Sequence, residues 1–159
     1  MVSLDDLKCL RFLQDLKDVH LQQLTTIADF QDVPAKAVVF REGQSCPSIF
    51  LVAAGNIALE INVPGREPRQ LQTVGPGELL GWSSVLGTRL MTATARCLTS
   101  SRLVVFNAVQ IQALCAHDPL FGVEFLRGTA EALASRLAAT RLQLLDVYRN
   151  LDPEEGVHA

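Results

Sequence analysis

The hydrophobic pattern of this chain changes period twice, and that change constrains the fold more than any other feature. Through the first 32 residues the apolar positions Leu10, Leu13, Leu16, Leu21, Leu24 and Ile27 recur at roughly helical spacing. They predict two short helices broken near Asp18. From Val33 to Asn107 the period falls to two. Val38, Phe40, Ile49, Leu51, Ile57, Leu59 and Ile61 alternate with other residues, and Gly43, Pro47, Gly55, Pro64 and Gly65 punctuate them. The alternation resumes at Leu71–Val74, breaks at Gly75-Pro76-Gly77, and returns in Thr92–Leu98 and Leu103–Phe106. Short alternating strands bounded by turn residues predict an antiparallel sandwich or barrel. No strand here alternates with a helix, which argues against a parallel sheet. Beyond Asn107 the helical period returns, first in Val109–Cys115. Asp118 then caps a long helix with Pro119 at its first position, running to about Tyr148. The expected fold is therefore mainly β with flanking helices: an antiparallel β-roll or jelly-roll followed by a long C-terminal helix. One domain over 1–150 is expected, with helices over 1–32, the roll over 33–107, helices over 108–150 and a polar tail over 151–159.

Composition narrows the function classes. A chain of 159 residues that is 48% hydrophobic and 19% charged can bury a core without staples. No apolar run reaches the roughly 18 residues of a spanning helix. Asp5, Asp6, Lys8, Arg11, Asp15, Lys17 and Asp18 interrupt any signal-peptide core. The expectation is a cytoplasmic protein with no membrane attachment. A net charge of −3 supplies no basic face for non-specific nucleic-acid binding. Cys9, Cys46, Cys97 and Cys115 form no CxxC pair and read as reduced thiols. His20, His117 and His158 all lie outside the expected strands, so no metal site is expected. The chain holds no GxSxG elbow, Walker loop or HxE set, and enzymatic activity is not expected.

Two constellations remain. The long helix carries Val123, Leu126, Ala130, Leu133, Leu137, Thr140, Leu144 and Val147 three and four residues apart, and all but Thr140 are apolar. Such a heptad seam predicts a parallel homodimer. Phe121 and Phe125, with Leu142 and Leu145, form a second stripe for packing on the roll. The other constellation is Gly75–Ala95, where glycines and small hydroxyl residues surround Glu78 and Arg89 between two strands. Helical turns within Leu79–Leu86 would present free backbone N–H groups to an anion. Arg89 would add a forked donor pair for phosphate, and Glu78 would accept from a sugar hydroxyl. Solvation of both side chains is the competing reading. The expected site is bounded by Gly77, Glu78, Leu79, Leu80, Arg89, Thr92, Ala93 and Thr94.

The order of Phe40–Gln44 (FREGQ), Ile49–Ile61, Gly75–Trp82 (GPGELLGW), Thr92–Phe106 and a long helix resembles the cyclic-nucleotide-binding domain. It is similar to the sensor half of catabolite-activator and Fnr-type bacterial regulators over about residues 10–149. The resemblance implies that Gly43 and Gly55 are turn glycines. It implies that Gly77-Glu78-Leu79 opens a phosphate-binding cassette whose acid holds a ribose 2′-hydroxyl, and that Thr92–Ala95 closes it. Counting back from Ala93-Thr94 puts Met91, not Arg89, at the family's arginine position. The implied function is a dimeric sensor of cAMP, cGMP or a similar phosphorylated ligand, with no cofactor. The alternative is a degenerate, ligand-free domain serving as a dimeric scaffold or protein-interaction partner. Only nine residues follow Asn150, so direct DNA binding by a helix-turn-helix is not expected from this chain.

Overall fold

A computed structural model describes residues 1–87 and 90–151. Two short helices, α1 (Leu4–Lys8) and α2 (Asp18–Thr25), flank a single 3-10 turn at Arg11–Leu13. Eight strands follow: β1 (Ala28–Val33), β2 (Val38–Phe40), β3 (Ser48–Ala54), β4 (Ile57–Ile61), β5 (Arg69–Val74), β6 (Leu79–Leu80), β7 (Thr94–Cys97) and β8 (Ser101–Asn107). Helix α3 (Trp82–Val85) separates β6 from β7, and α4 (Ala108–His117) and α5 (Pro119–Leu151) end the described chain. The strands form two four-stranded antiparallel sheets, ordered β1-β8-β3-β6 and β2-β7-β4-β5. The expected jelly-roll architecture is present.

The first sheet is buried on both faces, and the strand period explains how. In β3, Phe50 and Val52 point into the space between the sheets, whereas Ile49 and Leu51 pack outward against the helices. Val104 and Phe106 of β8 also face the helices, while Leu103 faces the inter-sheet core. The same alternation divides Leu79 from Leu80. Two apolar cores therefore share one sheet.

The N-terminal boundary departs from expectation. The helical reading over 1–32 fails after Thr26, because β1 begins at Ala28 and pairs with β8 from Ala28↔Phe106 to Val33↔Ser101. β1 lies at the sheet edge, and only Ala28 and Val33 are buried along it. A strand with two solvated edges of this kind lacks an alternating apolar signature, and its partner lies more than 70 residues away in the chain.

Helix α5 is about 50 Å long at 1.5 Å per residue. Asp118 opens it as expected, its Oδ1 accepting the Phe121 N–H at 3.3 Å. Phe121 and Phe125 are fully buried, stacked at 5.5 Å, and Phe125 meets the Phe12 ring edge-on at 5.4 Å. Two glycines bring the helix close to its supports. A Cβ on Gly122 would lie 3.0 Å from the Cys115 carbonyl oxygen, and one on Gly128 would lie 3.4 Å from the Phe12 ring. The expected continuation of the roll-facing stripe through Leu142 and Leu145 is not observed: both are exposed, as is every residue from Arg141 to Asn150. By then the helix has run past the roll.

Candidate ligand site between the roll and the long helix

The turn between β5 and β6 is where the N-terminal segment, the roll and α5 converge. Gly77 has φ +83°, a backbone that favours glycine, and its N–H donates to the Val52 carbonyl at 2.7 Å. The Gly77 carbonyl accepts from the Phe12 N–H at 3.0 Å, and a Cβ here would lie 3.0 Å from the Arg11 nitrogen. Only glycine lets the 3-10 turn sit so close. The next residue, Glu78, is held by backbone bonds on both sides, its N–H donating to Gly75 and its carbonyl accepting from Val52. Its side chain is exposed.

Beside this turn lies a cavity of about 290 Å³. Arg11–Leu16 forms one wall and Gly77–Leu79 another, and α5 supplies the third from Glu124 to Arg136. The volume is at the lower end of the roughly 300–1,000 Å³ usual for small-molecule sites. Arg136 is its most distinctive side chain. Its guanidinium donates to the Leu79 carbonyl, and burial pulls its pKa below the ordinary arginine value while the Glu78 charge pulls it back. One turn further along, Gln72 Nε2 of β5 donates to the Arg136 carbonyl at 2.8 Å and to Thr140 Oγ1 at 2.9 Å. Gln143 donates to the Leu71 carbonyl. The proximal half of α5 is pinned by aromatic rings, and this middle stretch is pinned by polar contacts.

The structure brings together some of the expected site residues and separates others. Gly77, Glu78 and Leu79 line the cavity. Leu80 is fully buried and faces the inter-sheet core, away from it. Thr92 is exposed, Ala93 is half-buried, and Thr94 is buried with its hydroxyl accepting the Glu42 N–H at 3.0 Å. None of these three lines the cavity. Arg89 lies outside the described residues. Met91 is 3% exposed and packs among Phe40, Phe50 and Leu80 between the sheets, where Phe40 and Phe50 stack at 6.0 Å. The expected helical turns within Leu79–Leu86 are a two-residue strand and then the four-residue α3, which begins after Gly81 and not at Glu78.

Along the expected seam, Val123, Leu126, Ala130, Leu137, Leu144 and Val147 are exposed and Leu133 is half-buried. Thr140 is also exposed but is turned far enough toward the roll to accept from Gln72. Arg136 went unrecognised in the sequence. The available signal was its position on the stripe of Phe121, Phe125, Gly128 and Ala132, the face of α5 that the roll covers.

Two closed antiparallel sheets with a helix laid across a cavity at their edge define a β-roll sensor domain. A family model described as "Cyclic nucleotide-binding domain" matches residues 30–118, more than half the chain. The chain belongs to that family. It is 25% identical over 116 residues to a CRP-like cAMP-activated global transcriptional regulator of Mycobacterium tuberculosis, covering 73% of this chain and 50% of that protein. It is 30% identical over 111 residues to the cyclic AMP receptor protein of Thermus thermophilus, covering 70% of this chain and 50% of the receptor. The chain thus spans about half the length of these two regulators. A solved cyclic nucleotide-binding domain from Methylobacillus flagellatus superposes with a TM-score of 0.78 at 17% identity, over 90% of this chain and 80% of that one. Among the described residues no helix is long and apolar enough to cross a membrane.

Proposed function

We propose that this domain is a dimeric regulatory sensor whose α5 couples a small phosphorylated ligand, such as cAMP or cGMP, to the arrangement of the dimer. One observation carries the reading. The same helix lines the cavity with Gly128, Ala132 and Arg136 and exposes Val123, Leu126, Leu137 and Leu144 on an adjoining face. A ligand wedged between the turn at Gly77–Leu79 and α5 favours one seat of the helix over another. Because the seam rides on that helix, its geometry shifts with the population of the two seats. No covalent step is involved, and the curated relatives named above are regulators.

The experiment is thermal unfolding against cAMP, cGMP and cyclic dinucleotides, with sedimentation in parallel. A ligand at a hundred times its Kd adds about 2.7 kcal/mol of stability. For a chain of this size that is a rise of about 5–10 °C in Tm. Replacing Leu133 and Leu137 with Glu is expected to yield monomer. Wild-type monomer at tens of micromolar overturns the dimer, and an unmoved Tm across the panel overturns the sensor.

A second reading is the ligand-free scaffold. The filled inter-sheet core favours it: Met91 occupies a buried apolar position where the family resemblance looks for a cation. It predicts a dimer with no thermal response to any member of the panel.

A further inference from the structure

The cavity beneath α5 carries mixed charge in a definite arrangement. Arg11, Arg127 and Arg136 face Asp15, Glu78, Glu124 and Glu131, one negative charge in excess. Arg127 is already matched at the exposed rim, its Nη1 lying 3.6 Å from Glu124 Oε1. Arg136 is different. It is the deeply placed cation, it has one backbone carbonyl as acceptor, and among the described residues no carboxylate reaches it within 4.0 Å. A guanidinium withdrawn from water in this way has unused donors, and its planar fork matches two oxygens of a phosphate.

We infer that Arg136, on the long helix, holds the anionic group of this domain's ligand, and that the ligand is a singly charged phosphodiester rather than a polyphosphate. This rests on the sensing reading above. The charge count sets the ligand class. Several negative charges would meet four carboxylates with one unmatched deep cation, whereas a single phosphodiester charge satisfies Arg136 and leaves the carboxylates to accept from hydroxyl or amino groups. Glu78 is placed for that role, since its charge already acts on Arg136. The arrangement also ties binding to the helix. The guanidinium that meets the ligand is the one fastened to the Leu79 carbonyl, so the ligand draws on a bond that seats α5 on the roll.

The test is calorimetric titration of the full chain with cAMP, cGMP and ATP. Wild type is expected to bind a cyclic mononucleotide at least about tenfold more tightly than ATP. Arg136→Gln keeps a donor for Leu79 but loses the charge, and its affinity is expected to fall about ten- to a hundredfold, the range for a charged hydrogen bond. Arg141→Gln, on the exposed part of the same helix, is expected to bind as wild type does. Binding by wild type with no loss in Arg136→Gln overturns the inference and leaves the sensing reading intact. ATP binding more tightly than the cyclic nucleotides overturns the ligand class. No binding of any of the three by wild type overturns both the inference and the reading. Should Arg136→Gln fail to unfold cooperatively, Arg136→Lys decides: an ammonium cannot supply the fork, so an affinity equal to wild type overturns the assignment.

Discussion

Replacing Phe125 with Ala separates the two faces of α5 energetically. The side chain is 2% exposed, meets Phe12 edge-on and Phe121 in a stack, and closes the core between the first sheet and the helices. Truncating a buried phenylalanine costs about 3–5 kcal/mol in lost transfer energy and residual cavity. That is a large share of the roughly 5–15 kcal/mol by which domains are stable. With a urea m-value of about 2 kcal/mol/M, the midpoint is expected to fall by about 1.5–2.5 M. The neighbouring Leu126 is 43% exposed and supplies the contrast. In a monomer Leu126→Ala costs less than about 1 kcal/mol, as surface substitutions do. In a dimer joined at the seam its cost is larger and varies with protein concentration, because stability is then linked to association. Equilibrium urea unfolding at 1 and 50 micromolar (about the range that spans a weak dimer) measures both. A loss below about 1 kcal/mol for Phe125→Ala refutes the docking argument. A Leu126→Ala cost that is small and independent of concentration refutes the seam.

Three further outcomes are expected. Gly55→Ala is more destabilising than Gly43→Ala: both positions have positive φ, but a Cβ on Gly55 would lie 2.8 Å from the Ser101 Cα, whereas nothing lies within 4 Å of one on Gly43. The shared strain is about 1–2 kcal/mol and the clash adds about 1–3 kcal/mol; equal urea midpoints refute the steric argument. Iodoacetamide is expected to label exposed Cys9 first and Cys115, whose thiol burial pushes up, more slowly; buried Cys97 reacts only on unfolding. Mass spectrometry of timed samples checks the order, and early labelling of Cys97 contradicts it. Acid removes two contributions: hydrogen bonds from Ser3 hold the Asp6 carboxyl below its ordinary 3.8, and Arg102 does the same for Asp32. Since the folded values are depressed, this stability is present above about pH 3.8 and is lost as pH falls below it. Asp32→Asn is expected to flatten that acid limb in unfolding measured from pH 6 to pH 3; an unchanged slope refutes the pairing.

The roll was legible because its strands are buried on alternating sides, so Ile49, Leu51, Ile57 and Leu59 announce their period locally. β1 was not, since Ala28–Val33 is an edge strand and depends on pairing with β8. The opening of the site was legible from glycine alone: Gly77 stands where a backbone must pass close to Arg11. The far side of the expected pocket was not. Leu80 and Thr94 differ from Leu79 in the face they present, and a one-residue change of face is decided by register. Arg136 escaped for a related reason. An arginine on a helix ordinarily reaches solvent, and only the path of α5 across the turn at Gly77–Leu79 withdraws it.

The glycines that let α5 approach its supports have a consequence for how the helix can move. Gly122 and Gly128 each cost about 1 kcal/mol of helical preference relative to alanine, and both lie in its first third. That stretch is a poor helix on its own and is wound only while pressed against Cys115 and Phe12. Lifting it from the roll therefore favours unwinding over swinging. What travels along α5 is then a change in the length of wound helix: the junction between coil and helix advances or retreats, and the distal seam feels how much helix precedes it rather than the angle at which it leaves.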